Sequence, residues 1–145
     1  MYKNILAAVD GSAHGAAVLD SVVSLAKLTG ASVHVIHIRP EQVIGDGISG
    51  AVVVPVEEGD AGRQVVDEAL GRLRAEGITA EGEVDEGLRE ELAAILVERA
   101  EALGSDLIAV GPGHYRGIAA LLHASVSHSV AKAAPVSVLL VRGDS

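Results

Sequence analysis

The sequence predicts an α/β fold: a five-stranded, doubly wound, Rossmann-like parallel sheet of order 3-2-1-4-5 with helices on both faces. Three observations carry that expectation. Short apolar runs alternate with segments of helical period from one end of the chain to the other. Several of those runs are continuously apolar, as strands covered on both sides must be. Glycines stand where the helical segments should stop. Strand–helix–strand units join through right-handed crossovers, which makes the sheet parallel. The 145 residues fit one domain, residues 1–145. A domain of that size buries about 68–70% of its unfolded surface, so it needs no disulfide or metal to fold.

Each element has a local reason. Ile5 to Val9 is a short apolar run that ends at Asp10, a buried first strand. Ser12 can cap a helix on which Leu19, Val22, Val23 and Ala26 share one stripe, with Gly30 as the stop. Val33 to Ile38 is a second strand. Residues 39–58 lack a clear period and contain Gly45, Gly47, Gly50 and Pro55, so they read as a loop. Within it, Gly50 to Val56 is apolar, either a loop packed on its own domain, a lid over the ligand site, or a strand for a partner. Asp60 opens a second helix carrying Val66, Ala69 or Leu70, and Leu73, and Gly77 closes it. Ile78 to Val84 alternates apolar and polar, as a strand at a sheet edge does. Leu88, Leu92, Ile95 and Leu103 mark a third helix ending at Gly104. Leu107 to Val110 is a buried strand, a helix from about Ser125 stops before Pro135, and Val136 to Val141 is the last strand.

That last strand is apolar on both faces, with Val136, Val138 and Leu140 on one and Leu139 and Val141 on the other. In the expected order it stands at an edge, where an apolar run invites pairing. A homodimer joined through 136–141 accounts for the pattern; an edge covered by a loop of the same chain is the alternative.

Composition excludes several function classes. Cysteine is absent, which removes thiol catalysis, thiolate metal sites and disulfides and suits a reducing compartment. The amino-terminal apolar run is too short for a signal-peptide core and no run is long enough to span a bilayer, so the expectation is a cytoplasmic protein with no membrane contact. A net charge of −9 opposes phosphate binding by nucleic-acid readers, and the only aromatics are Tyr2 and Tyr115. No nucleic-acid partner is expected.

In an open α/β sheet, ligands bind beyond the carboxyl ends of the strands where strand order reverses. Here that point lies between the first strand, ending Val9-Asp10-Gly11-Ser12, and the fourth, ending Val110-Gly111-Pro112-Gly113-His114. An acid and a Gly-bearing loop at one switch point form a nucleotide cleft. These segments are similar to the universal stress protein family. The matching stretches are Lys3 to Ser12, His37-Ile38, Ser105 to Gly111, Gly117 to Ser127 and Ala134 to Val141, together nearly the whole chain except the loop at 39–58.

The resemblance implies a non-enzymatic stress-response module. Many members of that family bind ATP through a signature of G-x-x-G, nine residues, then G followed by Ser or Thr. Glycines let backbone amides approach phosphates, and a helix amino terminus adds amides and a favourable dipole. Carried over, the first glycine is Gly111, the second position holds His114, the third holds Ala124, and the closing serine is Ser125 with Ser127 beyond. Pro112 removes one amide donor from the loop. The resemblance further implies Asp10 near the ribose, phosphates or a bound Mg²⁺, and the Ile38 backbone near the adenine. Turn formation by Asp10 and plain helix capping by Ser125 are the alternatives for those residues.

Other constellations carry less. His34 and His37 point to opposite faces of a strand, and His123 and His128 lie about 140° apart on a helix, so no metal site is expected. Asp10 with Asp85-Glu86 resembles a phosphoacceptor receiver domain, but the chain stops after its fifth strand and has Arg142 at that strand's end where a lysine belongs. No nucleophile elbow, Walker lysine loop or Ser-His-Asp arrangement appears, so no catalytic residue is assigned. Two readings stand: an adenine-nucleotide-responsive module with ATP and Mg²⁺ as ligand, favoured by Asp10, Gly111 and Ser125, and a stress protein acting through protein contacts, favoured by His114, Pro112 and Ala124; slow ATP hydrolysis, with Asp10 as the one evident base, is a weaker third.

Overall fold

Ile5, Leu6 and Ala7 are all buried in β1 (Asn4–Ala8), the short run that organises the sheet. The computed structural model describes residues 1–45, 50–55, 59–111 and 125–142. The elements that follow are α1 (Ala13–Thr29), β2 (Ser32–Gly45), β3 (Ala51–Pro55), α2 (Ala61–Ala75) and β4 (Ala80–Leu88). A one-turn 3₁₀ segment (Arg89–Glu91) leads into α3 (Leu92–Leu103), then β5 (Leu107–Val110), α4 (Ser125–Ala133) and β6 (Ser137–Leu140).

β1 pairs in parallel with β2 on one side and β5 on the other; β4 extends the sheet beyond β2, and β6 beyond β5. The parallel order is therefore β4-β2-β1-β5-β6, which is the predicted 3-2-1-4-5 counted over the parallel strands. Helices cover both faces. Val18 and Val22 of α1 and Val66 and Leu73 of α2 pack with Ile5, Ala7, Val33 and Val35. Leu96 and Ala100 of α3 and Val130 of α4 pack with Leu6, Ile36 and Ile108 on the opposite face. Each buried Val, Leu or Ile among them contributes about 1.5–3 kcal/mol. α1, α2 and α3 stop at the predicted glycines: Gly30, Gly77 and Gly104 all take positive φ, which an L side chain resists. At Gly104 the amide of the following Ser105 reaches back to the Ala100 carbonyl at 2.8 Å and seals the helix end.

Three expectations need correction. The segment read as a loop at 39–58 contains an antiparallel ribbon: β2 runs on to Gly45, and β3 returns beside it from Gly45↔Ala51 to Glu41↔Pro55. Its apolar residues Val43, Ile44, Val52 and Val53 are strand formers, but they lie on both faces of the ribbon and half-exposed, so no single period marks them. The strand read as 78–84 runs from Ala80 to Leu88, and Leu88 pairs with Glu41 and does not open a helix. The Glu91 carboxylate accepts the Leu88 amide at 2.9 Å, ending the strand one turn before α3. Asp60 precedes α2 as expected but makes no side-chain cap bond.

β4 is half-solvated, as its alternation predicts. Gly82 lies under Val66 and Leu70 of α2. On its other face Glu83 bonds His34 Nε2 and Arg99 Nε, each at 2.9 Å. Among the described residues no helix is long and apolar enough to cross a membrane.

Candidate functional site at the carboxyl edge of the first strand

The turn that leaves β1 is built around Asp10. Its Oδ1 accepts the Ser12 amide at 2.9 Å and also the Ser12 hydroxyl. Ser12 in turn reaches the Gly15 amide from its Oγ at 3.4 Å, a long cap bond at the start of α1. Asp10 thus forms the turn that was its structural alternative, and Ser12 caps α1 as expected. The turn uses Oδ1 of Asp10; Oδ2 has no bond to any described residue and remains an acceptor for a ligand hydroxyl or cation. Gly11 takes φ +80, and a Cβ there would lie 2.9 Å from Val65. A Cβ on Gly15 would lie 2.9 Å from Asp10 Oδ1 and 3.1 Å from the Asp10 backbone nitrogen, so α1 packs directly on the carboxylate.

Behind the turn sits His37, buried to 2% exposure. Its Nδ1 is 2.8 Å from the Val9 carbonyl oxygen. A carbonyl only accepts, so Nδ1 carries the proton. The ring fits because α2 begins with a small residue: a Cβ on Gly62 would lie 3.0 Å from His37 Cδ2.

Strand parity decides what Ile38 offers. The Ser32 amide bonds Lys3, and the Val9 amide bonds Ile36, whereas the Val33 amide bonds Thr79 before β4. Even-numbered residues of β2 therefore direct N–H and C=O toward β1. Cα pairing with β1 stops at Ala8↔Ile36, so the backbone groups of Ile38 face the space past the end of β1. Gly111 follows β5 on the other side of β1. Asp10 thus follows β1 between Ile38 of β2 and Gly111 after β5, at the point where strand order reverses.

A sequence model of the Universal stress protein family matches residues 1–142. The chain belongs to the universal stress protein family. Universal stress protein YxiE of Bacillus subtilis (strain 168) is 30% identical over 151 residues, covering 98% of this chain and 100% of that one. A crystal structure of a universal stress protein in complex with cAMP superposes with a TM-score of 0.70 at 23% identity, covering 97% and 96% of the two chains. The Archaeoglobus fulgidus universal stress protein in complex with dAMP gives 0.67 at 23% identity, covering 97% and 98%. These two structures bear on the fold.

In this universal stress protein the predicted site residues divide into two groups. Asp10 and Gly111 follow the ends of β1 and β5, and Ile38 lies within β2, two residues past its last pairing with β1. Ser125 and Ser127 belong to the first turn of α4, described by backbone alone; because β5 and β6 run parallel, the helix before β6 starts from the carboxyl edge of the sheet. His114 and Ala124 lie outside the described residues. Sequence reasoning assigned no role to His37, Gly15 or Gly62. A histidine inside an apolar strand was the available signal for the first; no local pattern marks the close approaches of the glycines.

His34 and His37 do face opposite sides of β2, one on Glu83 and one on Val9. Among the described residues no group of three or more His, Asp or Glu is arranged to hold a metal ion. Burial pushes the Glu83 carboxyl up, but bonds from Arg99, Asp85 and His34 outweigh it and hold the group below the ordinary glutamate value. Burial and then Glu83 itself push Asp85 above the ordinary aspartate value. A cavity of about 160 Å³ lined by Asn4, Ser32, His34, Thr79 and Ser105 opens at the amino ends of the strands, the opposite end of the sheet from Asp10.

Proposed function

We propose that this universal stress protein is a non-enzymatic stress-response module that holds an adenine nucleotide at the carboxyl edge of β1. The observation that carries the reading is the placement of Asp10 after β1, between the Ile38 backbone past the last β1 pairing and Gly111 after β5, where strand order reverses. In this reading the Ile38 amide and carbonyl read the adenine edge and Asp10 takes a ribose hydroxyl or, with ATP, a phosphate-bound Mg²⁺. Gly111 and the amino terminus of α4 receive the phosphates. Ser125 and Ser127 add hydroxyls there, with His114 and Ala124 in the two signature positions that have lost glycine. The complexes of relatives with cAMP and dAMP support an adenine nucleotide as the ligand class. No reaction is assigned, since the sequence carries no nucleophile elbow, Walker lysine loop or Ser-His-Asp arrangement and no general base is evident in it beyond Asp10.

The departures from the signature sharpen the reading. Pro112 removes an amide, and His114 and Ala124 restrict how closely the backbone can approach. The grip on the outer phosphates is weakened more than the grip on adenosine, so AMP should bind about as well as Mg-ATP. The same departures favour the second reading, in which the protein works through protein contacts without a nucleotide. In either case we place a homodimer contact on strand 136–141: β6 pairs only with β5 among the described residues, and Leu140 is 47% exposed. The cysteine-free composition suits action in the cytoplasm.

Calorimetric titration with AMP, cAMP and Mg-ATP tests the proposal. Binding with similar affinity for AMP and Mg-ATP, abolished by Asp10→Ala, is the expected result. Absence of heat with all three at millimolar ligand leaves only the protein-contact reading.

A further inference from the structure

We propose that His37 is a positioning residue for the Asp10 site, fixing from between β2 and α2 the turn that aims Asp10. The inference rests on the nucleotide reading of the Asp10 site. β1 ends at Ala8, and the amide of Val9 makes a last bond to the Ile36 carbonyl at 3.0 Å. Beyond it the chain swings into Asp10 and the left-handed Gly11. The carbonyl of Val9 is the atom from which that swing starts, and the His37 imidazole holds it from Nδ1 at 2.8 Å. Val9 is 7% exposed and His37 2%, so water does not readily replace the bond.

The surroundings leave the ring little freedom. Gly62, in the first turn of α2, comes close enough that a Cβ would touch His37 Cδ2, Arg39 Cγ and Val84 Cγ1 within 3.0–3.2 Å. Gly11 approaches Val65 of the same helix, and Gly15 approaches Asp10. The amino ends of α1 and α2 therefore converge on one peptide group, and His37 is the polar pin between it and β2. A side chain that touches no ligand thereby sets where the ligating carboxylate sits.

The test compares His37→Asn, whose amide nitrogen can replace the Nδ1 donor, with His37→Leu, which fills the space without a donor. Titration with AMP at low temperature, where both variants remain folded, should show His37→Asn within about threefold of the natural protein and His37→Leu weaker by roughly tenfold or more, the scale of one lost hydrogen bond of about 1.4 kcal/mol. Equal affinities for all three proteins overturn the proposal, and so does equal weakening of both variants. A second readout is independent of any nucleotide. Hydrogen exchange at the Ser12 amide, which bonds Asp10, should accelerate in His37→Leu and stay unchanged in His37→Asn, while the Ser105 amide at the opposite end is unaffected in both. If the natural protein binds no AMP, the cleft reading fails, and unchanged exchange at Ser12 in His37→Leu overturns the positioning role separately.

Discussion

Replacing Gly15 by alanine sets two effects of known sign against each other. In a helix interior, glycine to alanine ordinarily gains about 0.5–1 kcal/mol, because it restricts the unfolded chain. At Gly15 the new Cβ would lie 2.9 Å from Asp10 Oδ1 and 3.1 Å from the Asp10 nitrogen, the second a backbone atom that cannot rotate away. Overpacking of that kind costs about 1–3 kcal/mol. Gly71, exposed on α2 with no atom within 4 Å of its would-be Cβ, supplies the control. Gly71→Ala should stabilise the protein, Gly15→Ala should destabilise it or leave it near neutral, and the two should differ by about 2 kcal/mol. With a urea slope of about 2 kcal/mol per molar for a small protein, that difference is roughly 1 M in the unfolding midpoint. The same titration series should show AMP affinity lost in Gly15→Ala and retained in Gly71→Ala. If Gly15→Ala raises the midpoint as Gly71→Ala does and still binds AMP, α1 does not press on Asp10 and the account of the turn is wrong.

Three further outcomes are expected. Leu73→Ala, at a side chain with 0% exposure, should cost about 2–5 kcal/mol in urea unfolding, and a loss below about 1 kcal/mol would place α2 outside the core. Asp85 has a raised folded pKa, so its ionisation opposes folding above that pKa and the cost disappears as pH falls below the unfolded value. Asp85→Asn should accordingly be more stable than the natural protein near neutral pH, with the difference vanishing in acid; a variant less stable near neutrality would mean that Arg99, 4.0 Å away, outweighs burial and Glu83. Leu140→Lys should turn a dimer into a folded monomer by light scattering, whereas a natural protein already monomeric at high micromolar concentration removes the proposed contact.

Much of this architecture was legible because helix-covered parallel strands advertise themselves. Ile5 to Val9 and Leu107 to Val110 are continuous apolar runs, Leu19, Val22, Val23 and Ala26 form one stripe, and Gly30, Gly77 and Gly104 end their helices. The ribbon at Glu41–Gly45 and Ala51–Pro55 was not legible, because neither face is consistently buried and periodicity therefore has nothing to report. Leu88 was misplaced for a related reason: an apolar residue three before Glu91 and four before Leu92 fits a helical stripe as well as a strand end. At the site, Asp10 and Gly111 followed from topology alone, since a switch point is a property of strand order. His37 did not, because its importance lies in a contact with Val9, 28 residues earlier, that only the paired strands create.

Amide shift mapping of the isotope-labelled protein with AMP tests the central claim most directly, because it reports where a nucleotide sits as well as whether it binds. The account predicts saturable shifts at Ser12, Ile38 and Gly111, with Ser32, Thr79 and Ser105 around the opposite cavity unmoved. Shifts confined to that opposite cavity, or none at millimolar AMP, would contradict it.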